Sequence, residues 1–272
     1  MPWKLLLILY IVCAVLCCEG FYKFVYFMSI GYGLAVAGGG VTILIMYLVN
    51  PTATPAWIVV VQCTLFVIYG FRLSGFLLMR ELKNATFKNT EVAKSTLAKN
   101  DEKKMPVFVL ASIWIFTSAL YVIQVSPMLF RYNNGSTDTV VPVIGFIISI
   151  CGILLEAEAD KQKSAQKKAR PDMVATQGLY KMCRCPNYLG EITFWTGVFV
   201  AGTSTYANAG QWIMAIVAYI AIIFIMFNGA QRLEKRQMKR YGTNEEYNTY
   251  ADKTPIIIPF LPIYHLVKKE EN

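Results

Sequence analysis

The chain has 272 residues, of which 56% are hydrophobic and only 16% charged, with a formal net charge of +9. That balance is too apolar and too charge-poor for a soluble globular domain and puts the chain among polytopic, all-α membrane proteins. Seven cysteines without paired spacings and a lone histidine, His265 in an apolar tail, argue against a disulfide framework, a metal centre and a Ser-His-Asp triad. Chemistry must then come from carboxylates, tyrosines, amides and basic groups, or from a cofactor.

Leu5 to Cys18 is an apolar run behind Lys4, short for a span. No small-residue cleavage site precedes Glu19 and more spans follow, so a retained helix is expected rather than a secretory leader. Val25 to Val49 is the second span, in which Gly31, Gly33, Gly38, Gly39 and Gly40 predict close helix approach. Asn50-Pro51 ends it. Thr54-Pro55 offers an N-cap and a first-turn proline for the third span, Ala56 to Met79. That span carries Arg72, a charge that costs about 2.5 to 3.5 kcal/mol at mid-bilayer unless it is paired or reaches the headgroups. Tyr69 lies three residues earlier on the same helix face. A polar loop from Arg80 to Met105 follows. Pro106 to Phe130 and Val140 to Glu158 are the fourth and fifth spans, separated by the sequon Asn134-Gly135-Ser136. Tyr188 to Gly202 and Gln211 to Phe227 complete about seven transmembrane helices in one bundle, and a basic tail begins at Arg232. No internal repeat or linker divides the chain, so residues 1–272 are expected to form a single membrane domain.

Charge sets the expected topology. The segments 80–105, 159–186 and 231–272 each carry more basic than acidic residues, whereas the intervening loops are short and nearly uncharged. The positive-inside rule therefore places these three segments and the C-terminus in the cytosol and the N-terminus outside. Asn134 then falls on the lumenal side, and the second sequon, Asn84-Ala85-Thr86, is cytosolic and silent. The basic residues flank spans, where orientation and anionic headgroups account for them, so membrane lipids are the expected partners and nucleic acid is not.

The stretch from Gly152 to Glu191 concentrates the polar chemistry. On a helix continuing the fifth span, Glu156, Asp160, Lys163 and Lys167 fall at i, i+4, i+7 and i+11, one face that is acidic within the membrane and basic outside it. Carboxylates there can accept hydrogen bonds from sugar hydroxyls or an amide, and the lysines can meet phosphates, a succession of groups that a dinucleotide presents. Cys185-Pro186-Asn187 starts the sixth helix, so its unpaired N–H groups sit beside Lys181 and Arg184 and favour anions. Asn187 and Glu191 share a face. Tyr188 and Trp195, one heptad apart, share a neighbouring one, where helix packing explains Trp195 better than stacking on a cofactor. Glu191, inside a span, asks for a function.

With GILLEAEADKQKSAQKK, GLYKMCRCPNYLGE, YNTYADKTPIIIP and, more loosely, YGFRLSGFLLMR in view, the chain resembles the steroid 5α-reductase superfamily, most closely its branch of uncharacterised multi-span proteins. The resemblance covers roughly residues 70 to 259, within a reductase-like region of 56–259 that leaves 1–50 as divergent N-terminal helices and 260–272 as a tail. It implies a seven-helix fold with a cofactor cleft open to the cytosol, NADPH as cofactor, and reduction of a carbon–carbon double bond conjugated to a carbonyl in an apolar lipid or steroid-like substrate. Asp160, Lys167 and Asn187 match cofactor-contacting positions, Arg184 and Glu191 match the motif between helices, and Tyr69 with Arg72 match a tyrosine and arginine near nicotinamide and substrate. Arg232 corresponds by position to a phosphate contact. One departure stands out: relatives read Arg-His-Pro-Asn-Tyr where this chain has Arg184-Cys185-Pro186-Asn187-Tyr188.

The resemblance and the face periodicity together give Tyr69 and Glu191 as expected catalytic residues, with Arg72, Glu156, Asp160, Lys163, Lys167, Arg184, Asn187, Tyr188 and Arg232 around the cofactor, and no metal. An endoplasmic-reticulum membrane is the expected location. Two other readings stay open. One is an S-adenosylmethionine-dependent methyltransferase of the isoprenylcysteine carboxyl type, which shares an Arg-x-Pro-x-Tyr-x-Gly pattern after a span. The other is a non-enzymatic lipid-binding relative of the fold.

Overall fold

In a computed structural model of the chain, residues 1–88 and 106–267 are described, and every described regular element is helical. Among the described residues eight α-helices run in order: α1 (Trp3–Leu16), α2 (Ile30–Val49), α3 (Ala56–Lys88), α4 (Val107–Asn134), α5 (Val140–Ala169), α6 (Pro186–Thr203), α7 (Ala209–Tyr241) and α8 (Glu245–Lys253), with short 3-10 turns between some of them. Five of these, α2, α3, α4, α5 and α7, contain stretches long and apolar enough to cross a membrane. The all-helical polytopic membrane fold is thus borne out. The two remaining expected spans fall short of that measure for different reasons: α1 has only 14 residues, and α6, at 18 residues, carries Asn187, Glu191 and three threonines.

Three helices outrun the expected spans at length, and α4 only as far as Asn134. α3 continues to Lys88, so part of the expected polar loop is helical; the rest of it, with the Lys268 to Asn272 tail, lies outside the described residues. α5 continues to Ala169, as its polar face requires. α7 continues to Tyr241, so Arg232 and Glu234 lie on a helix rather than in a tail. Asn228 and Gly229 are weak helix formers, but the run from Ala230 to Arg240 consists of strong ones and carries the helix on to the turn at Gly242.

The chain forms two compact units, residues 1–142 with 202–215, and 143–201 with 216–272. In the first, α2 and α3 approach through facing glycines: a Cβ on Gly33 would strike the carbonyl of Gly70, and one on Gly70 the carbonyl of Gly33. The hydroxyl of Ser74 donates to the Ile30 carbonyl at 2.8 Å across the same seam. Small-residue packing of this kind replaces the hydrophobic drive that lipid removes, and the glycine-rich second span is used as its sequence predicted. α1 joins through the Cys13 thiol, 3.8 Å from the Ala35 carbonyl, and the Trp114 indole N–H on α4 donates to Ala14 at 2.7 Å.

The end of α4 is closed by side chains. Gly135 takes the left-handed conformation, φ 61°, that ends the helix. Thr54 was expected to cap α3; instead, its buried hydroxyl donates to the Arg131 carbonyl at 2.9 Å, in the last turn of α4, where the Ser136 N–H donates to the same oxygen. The Arg131 guanidinium, 2% exposed, donates to the Asp138 carbonyl at 3.0 Å and the Ser204 hydroxyl at 2.6 Å. The sequon residue Asn134 donates its amide to the Thr205 carbonyl and to Gln211 Oε1, at 2.7 and 2.9 Å. Its side chain is a structural element of the first unit.

In the second unit, α5 and α6 repeat the small-residue device over about three turns. Gly145 faces Gly197 and Ala201, Ser149 faces Gly197, Gly152 faces Gly190 and Phe194, and Gly190 faces Glu156. This seam brings the acidic end of α5 against the start of α6.

Candidate functional site

The polar stretch singled out in the sequence folds entirely within the second unit. Glu156 and Asp160 on α5 and Glu191 on α6 are 3%, 8% and 6% exposed, three carboxylates withdrawn from solvent together. The glycine seam explains how. A Cβ on Gly190 would lie 2.6 Å from the Glu156 nitrogen and 2.8 Å from its Cβ, so Glu156 lies beside the residue that precedes Glu191. Asp160 stands one turn further along α5 and Lys163 follows, half-buried. Asn187 and Tyr188 in the first turn of α6 are also half-buried. The Tyr188 ring packs on α7, where a Cβ on Gly229 would lie 3.4 Å away. Arg232, three residues beyond Gly229, is exposed. Trp195 is 3% exposed and meets Phe194 edge-on at 5.0 Å, which makes it part of the packing.

Two basic residues of the sequence pattern are committed to internal partners. The Lys167 ammonium donates to the carbonyls of Pro171 and Met173 at 2.8 and 2.7 Å and to the Tyr241 hydroxyl at 2.9 Å, all three of its protons in use. It thereby ties the turn after α5 to the end of α7. The Arg184 side chain, 3% exposed, pairs with Glu234 Oε1 at 2.7 Å and also donates to the Tyr264 carbonyl. Its buried Nε has no hydrogen-bond partner among the described residues.

Glu234 organises a part of the site that sequence reasoning missed. Its Oε1 also meets His265 Nδ1 at 2.9 Å, its Oε2 accepts the Leu266 N–H at 2.7 Å, and His265 Nε2 meets Asp252 Oδ1 at 2.8 Å. The lone histidine of the apolar tail is thus held between two carboxylates. The tail also pairs with the loop before α6: the Arg184 and Cys185 N–H groups donate to the carbonyls of Pro255 and Ile256, each at 2.9 Å. Tyr250 on α8 donates to the Tyr180 carbonyl at 2.7 Å, and Tyr180 to the Ala159 carbonyl at 3.2 Å. Gln162 and Gln166 on α5 secure the backbone of residues 176–179, with Gln162 Oε1 accepting from Leu179 and Gln166 Oε1 from Thr176 and Gln177, all at 2.8 to 2.9 Å. The one sequence signal for Glu234 was a solitary acid in the basic run Arg232 to Lys239; its partner lies 50 residues away, beyond any local pattern.

Cys185, where the resemblance leads one to expect histidine, is 2% exposed, and burial pushes its thiol up to about 12. Neighbouring Cys183 is likewise buried and raised to about 11. Both are protonated near neutrality, so Cys185 fills the histidine's place without its acid–base chemistry. Tyr69 and Arg72 belong to the first unit. Tyr69 is fully buried and donates to the Tyr32 hydroxyl at 3.1 Å, while Arg72 is half-buried.

A family model described as "Protein of unknown function (DUF1295)" matches residues 31–254. The chain belongs to the DUF1295 family. It is also 23% identical over 230 residues, 78% of this chain and 84% of the other, to a protein from Gossypium hirsutum named steroid 5-alpha-reductase DET2. No solved structure matches. This DUF1295 chain is accordingly a multi-pass membrane protein of the steroid 5α-reductase superfamily, distantly related to a reductase-type membrane enzyme.

Proposed function

We propose that the protein is an NADPH-dependent reductase of a carbon–carbon double bond conjugated to a carbonyl in an apolar lipid or steroid-like substrate, working from the cytosolic face of the endoplasmic-reticulum membrane. The observation that carries this reading is the burial of Glu156, Asp160 and Glu191 together at the α5–α6 seam, with half-buried Lys163, Asn187 and Tyr188 around them. The donor set fits the cofactor. Carboxylates suit ribose hydroxyls and a carboxamide, Asn187 both gives and accepts, and Lys163 with exposed Arg232 supplies charge for phosphates.

When bound, NADPH supplies hydride to the β-carbon of the substrate. In this proposal Asp160 and Asn187 bind and orient it, and Glu191 completes the polar rim at the reacting end. Arg184 and Lys167 act by holding the loops on either side of α5 and α6, because their side chains are spent on Glu234 and on the 171–173 turn. Tyr69 and Arg72 enter through the sequence match alone. Tyr69 would turn its O–H from the Tyr32 hydroxyl to the substrate carbonyl oxygen.

Asp160→Ala and Asn187→Ala should each weaken NADPH binding by about tenfold or more, as loss of one or two hydrogen bonds to a charged or polar ligand does. Isothermal titration in detergent measures it. Unchanged affinity in both variants would remove these residues from the site.

A further inference from the structure

The last segment of the second unit carries an apolar surface that the fold does not cover. Phe260, Leu261, Pro262, Ile263 and Tyr264 follow one another, all uncharged and all exposed, Phe260 at 94%. The row begins three residues after Ile256 and Ile257, which are buried. A run of exposed apolar residues is disfavoured in water, and on a folded chain it marks a contact surface.

The backbone of this loop is built to leave water. The Ile256 N–H donates to the Ile263 carbonyl at 2.8 Å and closes the loop, and inside it the Leu261 and Ile263 N–H groups donate to the carbonyls of Ile258 and Leu261 at 3.1 and 2.7 Å. Pro259 and Pro262 have no N–H to satisfy. Most donors of the tip are therefore absent or already met, which removes much of the cost that lipid sets on bare backbone.

Its attachments set its depth. On α7 the exposed residues Val217, Ile220 and Phe224 form an apolar stripe, the face that a spanning helix turns to lipid. Gln231 continues that stripe seven residues, about 10 Å, beyond Phe224, and its amide donates to the Leu266 carbonyl at 3.1 Å. The apolar run of α7 ends at Phe227, so the tail crosses the lipid-facing side of α7 about one turn outside the hydrocarbon. The other attachment is at the start of α6, where the Cys185 N–H donates to the Ile256 carbonyl and the Arg184 guanidinium to that of Tyr264. We propose that residues 258–264 form an interfacial loop whose tip, Phe260 and Leu261, enters the bilayer leaflet on the side of the C-terminus. Lipid is the occupant because the loop and the lipid face of α7 adjoin at the same depth. Tyr264 at the base suits the headgroup level, where its ring and its hydroxyl are both accommodated. The inserted loop braces Arg184 and Cys185 at the start of α6, and the proposal does not depend on the cofactor reading.

The test places the full-length protein, without NADPH, in phosphatidylcholine nanodiscs that include a phosphatidylcholine with a diazirine high in one acyl chain, and maps the adducts by mass spectrometry after photolysis. Residues 258–264 should carry lipid adducts alongside the Val217 to Phe224 stripe of α7. Phe260→Asp should lose most of the loop's adducts, because a carboxylate is expelled from hydrocarbon. Labelling of the stripe and the melting temperature in detergent should stay at wild-type values, since the Phe260 side chain stands clear of the core. A wild-type loop free of adducts while the stripe is labelled would overturn the proposal in favour of a protein partner or a second copy over the tip, and loop labelling unchanged in Phe260→Asp would overturn it as well.

Discussion

Glu234→Ala should destabilise the protein by about 3 to 5 kcal/mol, the usual result of removing one partner from a buried ion pair. Arg184 would be left charged at 3% exposure, and three further contacts would go with the carboxylate, to His265 Nδ1, the Leu266 N–H and, through His265, Asp252. Removing both charges with Arg184→Met and Glu234→Leu should cost less than Glu234→Ala alone, because the uncompensated charge is the larger part of the penalty. Thermal unfolding in detergent reads the stability of both variants. Limited proteolysis should show the segment after Thr254 cleaved faster in Glu234→Ala. A Glu234→Ala protein that melts with the wild type and keeps its tail protected would mean that the Glu234 cluster does not hold the tail.

A comparable loss is expected at the α5–α6 seam. The Cβ of Gly152→Ala would run into the backbone nitrogen of Phe194, and that of Gly190→Ala would lie 2.6 Å from the Glu156 nitrogen. Backbone cannot yield as a flexible side chain does, so the helices must part. Overpacking in a tight interior costs about 1 to 3 kcal/mol and more when backbone is the obstacle; leucine at either position should prevent the unit from assembling. Gly75→Ala on α3 is the matched control, since nothing lies within 4 Å of its Cβ. There the better helix propensity of alanine should leave stability equal or raise it by up to about 1 kcal/mol. Parting the seam separates Glu156 from Glu191, so Gly152→Ala should also lose cofactor affinity.

The fold was legible in the sequence because its information is local. Apolar run lengths located the membrane helices, and the glycines of α2 marked its close approaches, Gly33 and Gly40 to α3, Gly38 to α1 and Gly39 to α4. Helix ends were less legible. α3, α5 and α7 run on where hydrophobicity stops, because the polar residues there still favour helix and hydropathy detects the lipid boundary rather than the helix end.

The candidate site divides in the same way. The face of Glu156, Asp160 and Lys163 could be read from periodicity, and burial of the acids agrees with it. That Arg184 and Lys167 spend their charge inside the protein could not be read, because Glu234 and Tyr241 lie far along the chain. His265 shows the limit most plainly: in sequence it ends an apolar tail, and in the fold it joins two carboxylates contributed by α7 and α8.

The central claim is that the second unit binds NADPH, and titrating the purified full-length protein with NADPH and, separately, with S-adenosylmethionine tests it most directly. The melting temperature should rise with NADPH, by an amount equivalent to about 2.7 kcal/mol at a hundredfold excess over its dissociation constant, and stay fixed with S-adenosylmethionine. A rise with S-adenosylmethionine alone would contradict the account in favour of methyl transfer, and no response to either ligand would contradict it in favour of a lipid-binding protein without a cofactor.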